Sequence, residues 1–160
     1  MKHPRTRIVW FVLAAAVVGA AGFGLFRVVS RRPATGADAI LAAYDGRAPV
    51  GGLAISYPLD ETVFPPEIPA PTFEWTDEQS GADTWLVHVE CTDGGEAVQA
   101  LTHVPRWVPS DREWEAVKDR TCERDARVTV LGVRRASPNR IRSAASMTFR
   151  TSEHEVGAPL

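Results

Sequence analysis

An uncharged apolar run near the amino terminus constrains this chain more than any other feature. Ile8 to Phe26 reads IVWFVLAAAVVGAAGFGLF, nineteen residues without a charged or strongly polar side chain. As a helix rising ~1.5 Å per residue, the run would reach about 28 Å, close to the ~30 Å hydrocarbon core of a bilayer. A helix on the surface of a soluble domain would carry a polar face. The run therefore predicts a segment that inserts into a membrane.

Two fates of this segment remain open. A cleaved signal peptide has a shorter apolar core and small residues before the cut, which Gly19 to Ala21 could supply. The apolar character instead continues through Val28 and Val29. This continuation favours a retained transmembrane signal-anchor over residues 8–29, preceded by a cytoplasmic tail of residues 1–7.

The rest of the chain is acidic. All twenty Asp and Glu residues lie beyond position 37, where there are twelve basic residues, so this part carries a net charge of −8. This balance argues against nucleic acid as a partner, because phosphate binding requires a basic surface. Three basic residues flank the apolar run on each side, so the positive-inside rule gives little guidance. The acidic remainder, which holds both cysteines, predicts a single-pass protein of the inner (cytoplasmic) membrane with its C-terminal domain in the periplasm or outside the cell.

Period-two alternation beyond residue 53 predicts β-structure. The segment Trp85 to Cys91, WLVHVEC, places Trp85 and every second residue after it on one face and Leu86, His88 and Glu90 on the other. The turn sequence TDGGE, a strong hairpin signal, follows directly. Further strands are predicted at Ala97 to Val104, Arg127 to Val133 and Ser143 to Thr151.

One helix interrupts the strands. In PSDREWEAVKD, Ser110 is followed three residues later by Glu113, which is the spacing of a capping box. Trp114 and Val117 would share the face that packs on the sheets. The predicted fold class is thus all-β, a two-layer sandwich with one short helix over residues 53–152.

Short segments flank this domain. Residues 30–52 are small, polar and glycine-containing, with a brief helical tendency from Asp38 to Tyr44, and predict a spacer. Residues 153–160 form a tail. Four arginines between positions 134 and 142 are interpreted as a solvated loop between two strands.

The stretch ISYPLDETVFPPEIPAPTFEWTD, residues 55–77, contains five prolines. Proline cannot donate to a sheet ladder, so this part is expected to cross the end of a sheet or run along its edge. Pro66 and Pro69 also have the P-x-x-P spacing that aromatic grooves bind. A strand starts directly afterwards at Phe73, with Trp75 on the same side, which favours the structural interpretation.

The series PPEIPAPTFEW, ADTWLVHVE, RWVPSDREWEAV, ARVTVLGV and SMTFRTS resembles a bacterial fibronectin type III or immunoglobulin-like module over residues 53–156. It is also similar to the membrane-anchored leading modules of large periplasmic proteins that continue into β-propeller or multihaem cytochrome regions. The resemblance implies an accessory role in an envelope electron-transfer assembly. Two departures stand out: DARVTVLGV lacks the Tyr of a tyrosine corner, and no C-x-x-C-H is present for attaching a c-type haem.

Few residues offer chemistry. Cys91 and Cys122 are predicted to form a disulfide, because an antiparallel pairing of the strand ending at Cys91 with the strand starting at Arg127 would bring them together. His88, Glu90 and His103 have no fixed ligand spacing, so no metal site is predicted. Neither a catalytic group nor a cofactor site is predicted.

Trp107 is the tryptophan expected to be exposed, and Arg106, Trp107 and Trp114 are the candidate contact surface. The leading functional interpretation is a non-enzymatic spacer or docking module for other envelope proteins. The alternative is a glycan-binding or other ligand-binding module that uses Trp107 and Trp114.

Overall fold

The computed structural model describes residues 36–46 and 51–157. The predicted membrane segment at 8–29 lies outside them, and neither helix of the described part is long and apolar enough to span a bilayer. The elements in chain order are α1 (Gly36–Ala43), β1 (Ala54–Tyr57), β2 (Thr62–Phe64), β3 (Phe73–Thr76), β4 (Thr84–Cys91), β5 (Val98–Thr102), β6 (Arg106–Trp107), α2 (Asp111–Thr121), β7 (Ala126–Val133) and β8 (Ser143–Thr151).

The strands form two sheets. One has five strands in the order β2-β8-β7-β4-β5, and the other has three in the order β1-β3-β6. All strand pairs are antiparallel except β2 with β8, which is parallel. Side chains from both sheets and from α2 share one core cluster. The prediction of a mostly β fold with two packed sheets is confirmed.

Alternation along β4 places its side chains as predicted. Trp85, Val87 and Val89 are buried in the core between the sheets. Leu86 points to the opposite face and is fully buried in a second cluster. At the end where it begins, β4 is therefore buried on both faces, because each face packs in a separate hydrophobic cluster.

The second cluster includes side chains of α1, a segment that the sequence predicted to be part of the spacer. Ile40 is 1 % exposed and packs with Leu86, Leu131, Val133 and Ala144 on the outer face of the five-stranded sheet. Burying an isoleucine stabilises a fold by about 1.5–3 kcal/mol. Residues Gly36–Ala43 thus belong to the folded unit, because an apolar side chain fixes them to the sheet.

Helix α2 begins as its sequence predicts. Ser110 Oγ accepts a hydrogen bond from the Glu113 amide at 3.3 Å, and Glu113 Oε2 accepts one from the Ser110 amide at 2.8 Å. The Ser110 hydroxyl, which donates to Glu113 Oε2 at 2.7 Å, and after it the Ser110 amide lower the pKa of the Glu113 carboxyl. The helix buries Trp114 and Val117 in the core.

The proline-rich stretch lies against α2. The carbonyl of Ile68 accepts a 3.0 Å hydrogen bond from the Trp114 indole, and the carbonyl of Pro66 accepts one of 2.7 Å from Lys118 Nζ. Because prolines have no amide proton, Pro66 can use only its carbonyl. The amide of Ile68 donates to the Pro65 carbonyl at 3.2 Å, so the segment turns on itself where it crosses between the sheets. The strand that follows buries Phe73 and Trp75, as predicted.

Candidate functional site

The chain crosses from the five-stranded sheet to the three-stranded sheet in the turn between β5 and β6. The hydroxyl of Thr102 makes 3.1 and 3.2 Å hydrogen bonds to the carbonyls of Val104 and Arg106. The amide of Arg106 donates to the carbonyl of Val104 at 2.7 Å. This network fixes the turn, so the side chains that project from it have a defined arrangement.

Trp107 is anchored beneath this turn. It pairs with Phe73 across β3 and β6, and the two rings lie 5.3 Å apart with an interplanar angle of 33°. Trp107 is therefore half-buried, with one side of its ring on the core and the remainder accessible. The sequence predicted an exposed tryptophan here, and packing on Phe73 explains why the exposure is only partial.

Two exposed valines lie close to Trp107 in the sequence. Val104 and Val108 are 49 % and 51 % exposed. Arg106 is also exposed, and its register partner on β3 is Glu74. We call the set Val104, Arg106, Trp107 and Val108 the Trp107 corner. It combines exposed apolar area with the two residue types, Trp and Arg, that are enriched in binding hot spots.

Trp114 does not belong to this surface, which corrects the predicted contact set. It is 1 % exposed, and its ring packs edge-on against Phe64 at 5.4 Å. Trp114 and Val117, three residues apart on α2, share the face of the helix that packs in the core. The predicted pair of tryptophans for a glycan platform is therefore reduced to Trp107 alone.

The predicted disulfide is not formed, because Cys91 and Cys122 are both free thiols. The antiparallel pairing behind the prediction is present, and Cys91 lies opposite Ala126. The chain before β7 turns at Glu123, whose φ is 52°, so Cys122 forms its bridge with Thr151 of β8 instead. Cys91 is buried, which raises the pKa of its thiol, whereas Cys122 is exposed.

The two histidines considered as metal ligands lie apart. His88 Nε2 is 3.4 Å from Glu90 Oε1 on the outer face of β4. His103 instead makes a 3.2 Å contact with the Thr84 hydroxyl at the opposite end of that strand. Across residues 36–46 and 51–157, there is no group of three His, Cys, Asp or Glu side chains arranged to hold a metal ion.

Sequence reasoning missed a polar network around His103. His103 Nε2 lies 2.8 Å from Arg135 Nη2, and the Arg135 amide donates to Asp83 Oδ1 at 2.7 Å. That amide is the main cause of a lowered pKa for the Asp83 carboxyl. The network joins the ends of β5, β4 and β7. No sequence signal pointed to it, because its members are separated by up to 52 positions.

A second charged contact fixes the β4–β5 hairpin to α2. Arg120 donates to both carboxylate oxygens of Asp93, at 2.8 and 2.7 Å, and to the Glu96 carbonyl at 2.7 Å. The guanidinium holds the pKa of the Asp93 carboxyl well below its usual range. This bidentate pair is the strong form of a surface ion pair.

Two cavities of the described part are lined by residues of both charges. One of about 340 Å³ is bordered by Glu61, Asp125, Thr148, Phe149 and Arg150. Another, of about 440 Å³, lies beside α2 and includes the exposed Cys122 with Lys118 and Glu115. Neither cavity contains a hydrogen-bonded nucleophile and base, so the Trp107 corner is the stronger candidate for function.

No protein-family model matches this chain, and no curated protein matches it. The resemblance to fibronectin type III and immunoglobulin-like modules therefore stays a prediction from motifs, and function has to be argued from the residues themselves.

Proposed function

We propose that this protein is a non-enzymatic, single-pass membrane-anchored module that acts as a spacer and docks other envelope proteins through the Trp107 corner. The domain would be a fibronectin type III-like or immunoglobulin-like β-sandwich held outside the cytoplasm. The observation that carries the proposal is the exposure of Val104 and Val108 on either side of the half-buried Trp107 in the chain.

The arrangement of the corner supports binding to a protein. Its backbone is already fixed by the Thr102 hydroxyl, so little conformational entropy would be lost on association. The ring of Trp107 is held by Phe73, which leaves its exposed side ready for an apolar partner group. Arg106 beside it could pair with a carboxylate of the partner.

The polar groups that most resemble catalytic residues already make hydrogen bonds within the fold. Ser110 caps α2 and donates its hydroxyl to Glu113 Oε2 at 2.7 Å. Asp77 accepts from the indole of Trp85. These uses favour a binding role over a catalytic one.

Photo-crosslinking in native membranes tests the docking surface. A benzophenone amino acid is placed at Val104 or Val108 of the full chain, with Val63 as the matched control, because Val63 is 47 % exposed but lies on β2. The proposal predicts a discrete adduct with another envelope protein from the two corner positions and none from Val63. Equal yields at all three positions would refute a specific surface.

A glycan is the other class of ligand for the same corner. Aromatic rings bind sugars by stacking, and the half-buried Trp107 keeps part of its ring accessible. Binding to a glycan array that is abolished by Trp107→Ala, together with no protein adduct at Val104 or Val108, would favour that function instead.

A further inference from the structure

We propose that strand β5 pairs antiparallel with β5 of a second copy of this chain, so that the five-stranded sheets of the two copies join into one continuous sheet. This self-association goes beyond the docking of other envelope proteins. It rests on the proposed membrane anchor in one respect, because the anchor would concentrate the two copies in one bilayer. We call the side of Val98–Thr102 that faces away from β4 the β5 edge.

The edges of the two sheets are formed by β1, β2, β5 and β6. An uncovered edge strand can pair with another chain, and proteins usually prevent this with short strands, prolines, bulges or charges. Strand β2 has three residues and is followed by Pro65, and β6 has two residues and follows Pro105. Strand β1 has an irregular register and ends next to Pro58. These three edges are therefore poor templates for a further strand.

The β5 edge has none of these protective features. Its five residues, VQALT, include no charge and no proline. Within residues 36–46 and 51–157, β5 pairs with β4 on one side and with no strand on the other. Leu101 lies on the outer face of the sheet, opposite Leu86 of β4, and is 46 % exposed. The outward amides and carbonyls of β5 can thus pair with an added strand.

A second copy fits this edge because β5 is self-complementary about its middle residue. The antiparallel register that pairs all five residues places Ala100 on the two-fold axis. Gln99 then lies opposite Leu101 on the outer face, and Val98 lies opposite Thr102 on the face of the core. No like charges oppose each other across the new strand pair. The exposed Leu101 of each copy also gains a neighbour in the Gln99 side chain of the other.

Charged residues beyond the ends of β5 favour the antiparallel direction. Before the strand lie the exposed Glu96 and the Asp93–Arg120 ion pair. Beyond the strand, Arg135 Nη2 lies 2.8 Å from His103 Nε2, and Asp83 accepts from the Arg135 amide. Antiparallel pairing brings Glu96 of one copy to the end of β5 where Arg135 of the second copy lies. Parallel pairing would instead place Glu96 against Glu96, which costs electrostatic free energy.

The geometry of the pair suits two chains in one membrane. In a continuous sheet the two-fold axis is perpendicular to the sheet, so the α1 helices of both copies lie on the same face. One added strand pair is a small interface, which gives weak association. Anchoring in one bilayer raises the effective concentration of each copy for the other. The pair should therefore form in the membrane and separate when detergent dilutes the chains.

Disulfide trapping in native membranes tests the pairing in the full chain. Ala100→Cys is made with Cys122→Ser, because Cα atoms about 4.5–5.5 Å apart across a strand pair suit a disulfide. Val63→Cys with Cys122→Ser is the matched control. Val63 is the more exposed of the two and lies on β2, the other edge of the same sheet, so random collision would favour it. Mild oxidation should give a cross-linked dimer from Ala100→Cys and little from Val63→Cys. Cys122→Ser alone, which keeps the buried Cys91, should give none.

A charge-swapped pair of variants tests the register. Gln99→Lys with Leu101→Lys sets lysine opposite lysine on both sides of the axis and should abolish the Ala100→Cys cross-link. Gln99→Glu with Leu101→Lys changes the same two positions but sets glutamate opposite lysine, and should retain the cross-link. Thermal unfolding shows whether the two variants fold equally well. If the lysine variant does not fold, the comparison of Ala100→Cys with Val63→Cys still decides the outcome.

Three results would overturn the pairing. They are a cross-link from Val63→Cys as strong as that from Ala100→Cys, a cross-link that persists in the double lysine variant, and an adduct of Ala100→Cys with a different protein in place of the dimer. An alkaline carbonate wash separates these results from the anchor. Release of the chain would contradict the membrane anchor of the proposed function, whereas a retained chain without the cross-link would contradict only the pairing of β5.

Discussion

The indole Nε1 of Trp85 donates a 2.8 Å hydrogen bond to Asp77 Oδ2, which joins the five-stranded sheet to the end of β3. Ser143 Oγ donates to the same oxygen at 2.5 Å. Trp85 is 7 % exposed and Ser143 is fully buried. One carboxylate therefore satisfies two buried donors from two strands of the opposite sheet.

Removing this carboxylate should destabilise the domain. Asp77→Ala would leave two buried donors without their acceptor, at a cost of about 2–4 kcal/mol in the free energy of unfolding. Urea unfolding followed by tryptophan fluorescence measures the loss. Glu78→Ala, at the neighbouring exposed position, should change the free energy of unfolding by less than about 0.5 kcal/mol. Equal effects of the two substitutions would argue against the role of Asp77.

Helix α1 offers a second test, because Ile40 was predicted to lie in a spacer and is instead buried. Ile40→Ala should lower the free energy of unfolding by about 2–4 kcal/mol, through lost burial and a cavity over Leu86 and Leu131. Leu41→Ala, at a partly buried position of the same helix, should cost less. An Ile40→Ala variant as stable as the wild type would mean that α1 does not pack on the sheet.

The Asp93–Arg120 pair should make stability depend on acid pH. The folded pKa of Asp93 is lowered, chiefly by Arg120, so its contribution is present above the unfolded pKa of ~3.9 and is lost as the pH falls through the folded pKa. Asp93→Asn should therefore be less stable than the wild type near pH 6, and the two should converge towards pH 2. Urea midpoints between pH 6 and pH 2 give this comparison.

Glu96→Gln is the control for that experiment, because Arg120 binds the Glu96 carbonyl rather than its carboxylate. It should follow the wild-type curve. A constant offset between Asp93→Asn and the wild type across the whole range would show that the ion pair does not titrate as described.

The cysteines predict a reactivity difference. Without reductant, Cys122 should react with a maleimide in the folded protein, whereas Cys91 should react only after unfolding, because it is buried and the pKa of its thiol is raised. Mass spectrometry counts the adducts, and Cys122→Ser identifies the site. Protein that takes up no maleimide when unfolded without reductant would contain the disulfide after all.

Local patterns in the sequence predicted the elements that depend on near neighbours. Alternation from Trp85 to Cys91 gave the correct two faces of β4, and the Ser110–Glu113 spacing gave the start of α2. The burial of Ile40 and the position of Cys122 beside β8 could not be predicted from such local patterns. A single isoleucine in an alanine-rich segment is too narrow an apolar stripe to predict docking on a sheet, and the turn at Glu123 that moves Cys122 to β8 uses a residue with no special tendency for positive φ.

In the candidate site too, some features were predictable from the sequence and others depend on the tertiary fold. The accessibility of Arg106 and Trp107 was predicted, whereas their pairing with β3 as strand β6 was not. The exposed valines 104 and 108 became part of one surface only because the chain crosses between sheets there. The networks of Asp77 and His103 join residues from distant parts of the sequence, so only the tertiary fold brings them together.

The apparent mass of the detergent-extracted chain on a native gel tests the docking role most directly. The wild-type chain and Val63→Ser should migrate as a complex that contains a second envelope protein, whereas the double variant Val104→Ser and Val108→Ser should migrate as the single chain with unchanged thermal stability. A wild-type chain that migrates alone, or a complex that persists in the double variant, would contradict the assignment of the Trp107 corner as the docking surface.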